Sequence, residues 1–162
     1  MDSITAESCK NVIEWIIASN FADEKPESLN LLICSSGGDL NAGFAVVDVM
    51  RGSSIPVNTI GIGQIASAGL LIFLAGKYRV LTPNTSILSH QYTWGSIGKH
   101  HELIAAGKEF DLTSKRLVSA YKKFTGLSEA EIKELLLPPH DVWLDSKEAL
   151  KYNICDIVKD LK

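Results

Sequence analysis

Cysteine is scarce, and its spacing suits little of what cysteine usually does. Cys9, Cys34 and Cys155 are odd in number and far apart. They build no disulfide framework and show no metal-ligand spacing. Cys34 and Cys155 fall in apolar stretches read as strands, so free buried thiols are expected, as in a reducing compartment such as the cytoplasm. Charge of one sign is missing as well. Sixteen basic residues face nineteen acidic ones, for a net charge of −3, and there is no long basic run, which argues against a nucleic-acid partner. Long apolar runs are absent: Leu70 to Ala75 is far short of the roughly 20 residues of a membrane span. The chain does not open on a cationic stretch followed by an apolar one, as a signal peptide would. It shows no internal repeat and no low-complexity tract. What remains is a chain of 162 residues, 46% apolar and 22% charged, the make-up of one soluble intracellular domain with its own core.

Strand and helix patterns alternate along it. Cys9, Val12, Ile13, Ile16 and Ile17 recur at helical spacing behind a Ser3 or Thr5 cap. Residues 29–34 read as a buried strand ended by Gly37-Gly38, and 40–51 as a helix using Leu40, Phe44, Val47 and Met50. A strand over 57–62 precedes the apolar helix Leu70-Leu71-Ile72-Phe73-Leu74. Short strands over 78–81 and 86–89 flank a Pro83-Asn84 turn. A long amphipathic helix covers 99–124 and stops at Thr125-Gly126-Leu127. Another helix follows over 128–136, with Ser128 and Glu131 forming a capping box. A short helix over 146–151 and a strand over 154–158 close the chain. This alternation predicts an α/β fold.

The chemistry concentrates at Gly63-Gln64-Ile65-Ala66-Ser67-Ala68-Gly69. Small residues leave a lone hydroxyl uncovered at a strand-to-helix turn, with free N–H groups of the helix behind it. Serine needs a base to take its proton. His90, in Ser89-His90-Gln91, and Asp141, after Pro138-Pro139-His140, are candidates for base and orienter. On pattern alone a bland alternative stands beside each: a helix N-cap for Ser67, a satisfied core histidine for His90, and a cap or surface acid for Asp141, with Asp145 as competitor. His100, His101 and Glu102 are neighbours on one helix and point in different directions, so no metal is expected there.

Five ordered motifs over about residues 5–158 resemble the proteolytic subunit of the Clp protease family. They are Cys34-Ser35-Ser36-Gly37-Gly38 for the family's Asn-Ser-Pro-Gly-Gly turn, Ala42-Gly43 with Asp48-Val49-Met50 for the helix after it, and the Ser67 segment itself. Leu81-Thr82-Pro83-Asn84 with Ser89-His90-Gln91 follows. Last come His140-Asp141, Glu148-Ala149 and the closing Tyr152-Asn153-Ile154-Cys155-Asp156. The resemblance implies the β-α-β spiral shared with crotonase-type enzymes. It also implies a handle helix over 99–124, through which two rings dock. It implies a Ser67–His90–Asp141 triad with no cofactor, and an oxyanion hole from the N–H groups of Gly38 and Ala68. Gly37, Asp39, Leu40, Gln91, Tyr92 and Trp94 would line the substrate groove. The partners implied are further copies of the chain in a seven-membered ring or double ring, unfolded peptide, and an AAA+ unfoldase ATPase.

Four departures qualify the resemblance. The chain, a single domain over 1–162, opens at the first helix without the family's axial-loop segment and strand, which bears on ATPase docking. Ser36 replaces a proline, so a less rigid oxyanion turn is expected. Tyr92-Thr93-Trp94-Gly95 replaces a Pro-x-Gly-Gly run, and Trp94 is expected to narrow the groove or stack on a side chain. Pro139-His140 replaces an acid–arginine pair that bridges rings in the family. Competing readings are a non-catalytic subunit of a mixed ring, a crotonase-like acyl-CoA enzyme, and a Ser–Lys peptidase with Lys77 as base.

Overall fold

The computed structural model describes residues 3–161. Helix α1 (Ala6–Phe21) starts at Thr5, whose hydroxyl accepts from Ser8 N at 3.1 Å, while Ser8 Oγ accepts from Thr5 N at 3.0 Å. Thr5, not Ser3, is therefore the cap. Strand β1 (Leu29–Ser35) leads through the glycine turn to helix α2 (Leu40–Gly52). Strand β2 (Val57–Ala66) runs four residues further than its apolar pattern, through the whole small-residue approach to Ser67. Helix α3 (Ala68–Leu74) follows, with all seven residues buried, which is why it is apolar on every side. Strands β3 (Arg79–Leu81) and β4 (Ser86–Ser89) precede the long helix α4 (His100–Thr125). One α-helical turn, α5 (Glu129–Glu131), runs into a π-helical turn, Ile132–Leu136. The uninterrupted α-helix expected over 128–136 is thus not formed. Strand β5 (Val142–Leu144), helix α6 (Ser146–Lys151) and strand β6 (Ile157–Val158) complete the chain.

The sheet is organised about β2. β1 pairs with it in parallel, from Leu29 opposite Val57 to Ile33 opposite Gly61, then slips to Ser35 opposite Ile65. On its other edge β2 changes partners midway. β3 pairs with Thr59–Gly61 and β4 with Gln64–Ala66, both in parallel. Between the two sets stands Gly63 at φ +62, a left-handed conformation glycine takes without penalty. This change of partner curls the sheet. β6 extends it beyond β3 in parallel, and β5 extends it beyond β4 in antiparallel. The mixed α/β architecture with a curled sheet is the fold that the motifs imply.

The core packs α3 between the sheet and α4, with Ile65, Leu81, Ile87, Leu117, Tyr121 and Ile132 all buried. α4 spans about 39 Å at 1.5 Å per residue, yet its first buried residue is Thr113. Its N-terminal half stands away from the body, with Leu103, Ile104, Phe110 and Leu112 exposed. The closing strand is shorter than the apolar pattern suggests. Ile154 and Cys155 are buried but lie in the turn before β6, so Cys155 is not in a strand. Cys9, Cys34 and Cys155 are all free; Cys34 is only half-buried. Burial pushes the Cys9 thiol up, and pushes Cys155 up to about 11.

Candidate active site

Ser67 sits where β2 ends and α3 begins. Its backbone is at φ +54, ψ −122, a conformation that suits glycine. It occupies the N-cap position, yet its side chain makes no capping hydrogen bond, so the cap role that serine usually fills there is not taken up. Ser67 N donates to Leu88 O at 3.0 Å, which ties the turn to β4 just before His90.

The double-glycine turn lies directly against it. Gly37 is at φ +92, and a Cβ there would stand 2.6 Å from Ser67 Cβ, 2.8 Å from Ala66 O and 3.3 Å from Ala68 N. Only glycine allows this approach. Gly38, at φ +147, is backed onto Ile4 O. Ser35 Oγ accepts the Gly37 N–H at 3.1 Å, Ile4 N donates to Gly37 O at 2.8 Å, and Asp39 N donates to Ile4 O at 2.7 Å. The segment before α1 thus braces the glycine turn. Among the described residues, the N–H groups of Gly38 and Ala68 donate to no protein acceptor. They lie on the two backbones that meet at Ser67 and are suited to hold an oxyanion.

His90 and Asp141 are brought together by sheet register. β5 runs antiparallel to β4 with Val142 opposite Ser89, so His90 and Asp141 are the next opposed pair. His90 Nδ1 lies 4.0 Å from Asp141 Oδ1, with side chains 24% and 64% exposed respectively. That distance is longer than a hydrogen bond, and His90 is not hydrogen-bonded to Ser67. Apo catalytic contacts are commonly this loose. Asp145, the competing acid, is occupied: its Oδ1 accepts from Lys147 N and Glu148 N, each at 2.8 Å, capping α6. Lys77 is remote. Its N–H donates to Val57 O, at the opposite end of β2 from Ser67, about 30 Å along a ten-residue strand.

The Clp protease family model matches residues 1–162. The chain belongs to the Clp protease family. The ATP-dependent Clp protease proteolytic subunit 2 of Treponema pallidum is 32% identical over 156 residues, covering 93% of this chain and 77% of that protein. The proteolytic subunit of Paracoccus denitrificans is 31% identical, covering 93% of this chain and 75% of its own length. Among solved structures, a ClpP1 mutant from Listeria monocytogenes matches with a TM-score of 0.85 at 25% identity, over 99% of this chain and 88% of that one.

Around Ser67 the other expected groove residues are placed as follows. Asp39 Oδ1 caps α2 by accepting from Asn41 N at 2.8 Å and Ala42 N at 3.0 Å. Leu40 opens α2 and packs on the core. Gln91 Nε2 donates to Leu137 O at 2.9 Å. Tyr92 donates its hydroxyl to Phe110 O at 2.9 Å, with its ring 5.5 Å from the Phe110 ring. Trp94 packs at a tilt against the same residue, 5.2 Å between centroids. The Trp94 ring therefore rests on the handle helix of its own chain. An apolar cavity of about 570 Å³ lies between α1 and β1, reached by Cys9 and Cys34, and is lined by none of Ser67, His90 or Asp141. No helix among the described residues is long and apolar enough to cross a membrane.

Proposed function

We propose that the chain is a serine-type endopeptidase subunit, hydrolysing peptide bonds of unfolded polypeptides within a homo-oligomeric ring in the cytoplasm. The observation that carries this reading is the uncapped Ser67 hydroxyl at a glycine-like turn, beside two unengaged backbone donors and at the sheet end that pairs His90 with Asp141. Ser67 Oγ attacks the scissile carbonyl while His90 takes its proton. Asp141 faces Nδ1, selects the tautomer and stabilises the imidazolium. The N–H groups of Gly38 and Ala68 hold the oxyanion. His90 then protonates the leaving amine, and water, deprotonated by His90, releases the acyl group from Ser67. The 4.0 Å gap between His90 and Asp141 must close by about 1 Å to form the charge-assisted bond. Assembly into a seven-membered ring or a double ring, with handle helices in contact, is the event to which we assign that closure. An AAA+ unfoldase would deliver the substrate.

The same gap favours a second reading, a non-catalytic subunit of a mixed ring. A fluorophosphonate probe separates the two. Covalent labelling at Ser67, with peptide hydrolysis abolished by Ser67→Ala, supports the peptidase. Absence of label on the assembled wild-type protein overturns it.

A further inference from the structure

The segment that carries Asp141 is gripped from the residues on either side of His90, at the end of β4. It leaves the π-helical turn through Leu136, Leu137, Pro138 and Pro139. The carbonyls at a helix end need outside donors, and the two prolines have no N–H to offer. The side chains on either side of His90 supply them. Ser89 Oγ donates to Leu136 O at 2.6 Å, and Gln91 Nε2 donates to Leu137 O at 2.9 Å. Ser89 is fully buried and also shares a hydrogen bond with the Tyr121 hydroxyl at 3.3 Å. Val142, just past Asp141, is then fixed by its backbone pairing with Ser89. Residues 138–141 therefore bridge two anchor points, both on residues 89–91. Asp141 makes no side-chain hydrogen bond of its own among the described residues, so these anchors set its position.

We propose that Ser89 and Gln91 are positioning residues, which hold the 136–141 segment from both sides of His90 so that Asp141 stands opposite the imidazole. The proposal rests on the triad reading above and gives Gln91 a task other than touching peptide. The His90–Asp141 separation is already 4.0 Å, and a misplacement of about 1 Å can cost up to about a hundredfold in rate. A segment freed at one anchor moves Asp141 out of use.

Gln91 is exposed, so Gln91→Met keeps the length, removes the donor and leaves the core alone. Its kcat on a fluorogenic peptide should fall about tenfold with KM held within about twofold. Fluorophosphonate labelling of Ser67 should slow in parallel, since the probe needs His90 but not the peptide groove. In an Asp141→Asn background the same substitution should add nothing, because residues acting through one another are not additive. A raised KM at unchanged kcat, unchanged labelling, or full additivity with Asp141→Asn would overturn the proposal. A crystal structure of Gln91→Met reads it without activity: the His90–Asp141 separation should lengthen, and an unmoved 136–141 segment overturns the role. If wild type neither cleaves nor labels, the peptidase reading fails and this crystallographic comparison still decides the anchor.

Discussion

Ser67 holds a backbone conformation that β-carbon-bearing residues rarely take, at a cost of about 1–3 kcal/mol. Gly37 is held against it by geometry that admits no side chain. Two outcomes follow at this scale. Ser67→Gly relieves the strain that Ser67→Ala retains, so the glycine variant should be more stable than the alanine variant by on the order of 1 kcal/mol and melt higher, with both inactive. Equal melting temperatures would contradict the strained turn. Gly37→Ala forces a Cβ to 2.6 Å from Ser67 Cβ at φ +92. Its kcat/KM should fall by about a hundredfold or more. Gly52→Ala, with nothing within 4 Å of the added carbon, is the control and should keep full activity. Asn153 shows the same rule from the other side: it stands at φ +55, and asparagine is among the residues that tolerate this region.

Between elements, Arg79 joins three parts of the chain. Arg79, buried on β3, meets Asp156 through Nη2 to Oδ1 at 2.6 Å and Nε to Oδ2 at 3.1 Å. Its Nη1 also donates to Phe124 O and Asn153 O, each at 2.9 Å. It thus ties β3 to the end of α4 and to the turn before β6. Burial alone would raise the Asp156 carboxyl. The Arg79 hydrogen bonds and charge outweigh it, so the carboxyl titrates below its ordinary range. A carboxyl depressed by folding stabilises above its unfolded pKa of about 3.9, and that contribution is lost as pH falls through the folded value. Asp156→Asn should therefore be less stable than wild type at pH 7, with the difference shrinking below about pH 4 in urea titrations. A constant difference across that range would contradict the linkage. Arg79→Met strands the Asp156 charge and should cost about 3 kcal/mol at pH 7.

At the scale of the molecule, α4 is half element of the core and half projection. From Thr113 onward it is packed; before that, Ile104 is 62% exposed, and Leu103, Phe110 and Leu112 are exposed along the same half of the helix. Exposed apolar surface of this extent on one helix fits burial against another copy, in keeping with the ring-to-ring contact proposed above. Ile104→Asp should lower the mass seen by native mass spectrometry or sedimentation from double ring to single ring, while circular dichroism stays that of the folded subunit. An unchanged assembly would remove the handle from the interface. A wild-type monomer at high concentration would remove the ring itself.

The order of motifs along the chain carried the family and the identity of Ser67, His90 and Asp141 as candidates. Local pattern carried most elements, with β4 and α6 matching to the residue. Those readings succeed because periodicity, caps and glycine turns are decided by near neighbours in sequence. What escaped is what distant neighbours decide. β5 is three residues long, too short for any periodic signal, and is a strand only because β4 lies beside it. The π-helical turn lies where the pattern suggested plain α-helix. Ser89 and Gln91 bind carbonyls 47 and 46 positions away, and Arg79 meets Asp156 across 77. Trp94 rests on the handle helix because Phe110 is within reach only once α4 has packed. The sequence by itself determined which groups are the candidates to react. The tertiary structure decided how closely they face one another, because the opposing strand that sets that distance exists only as part of the folded sheet.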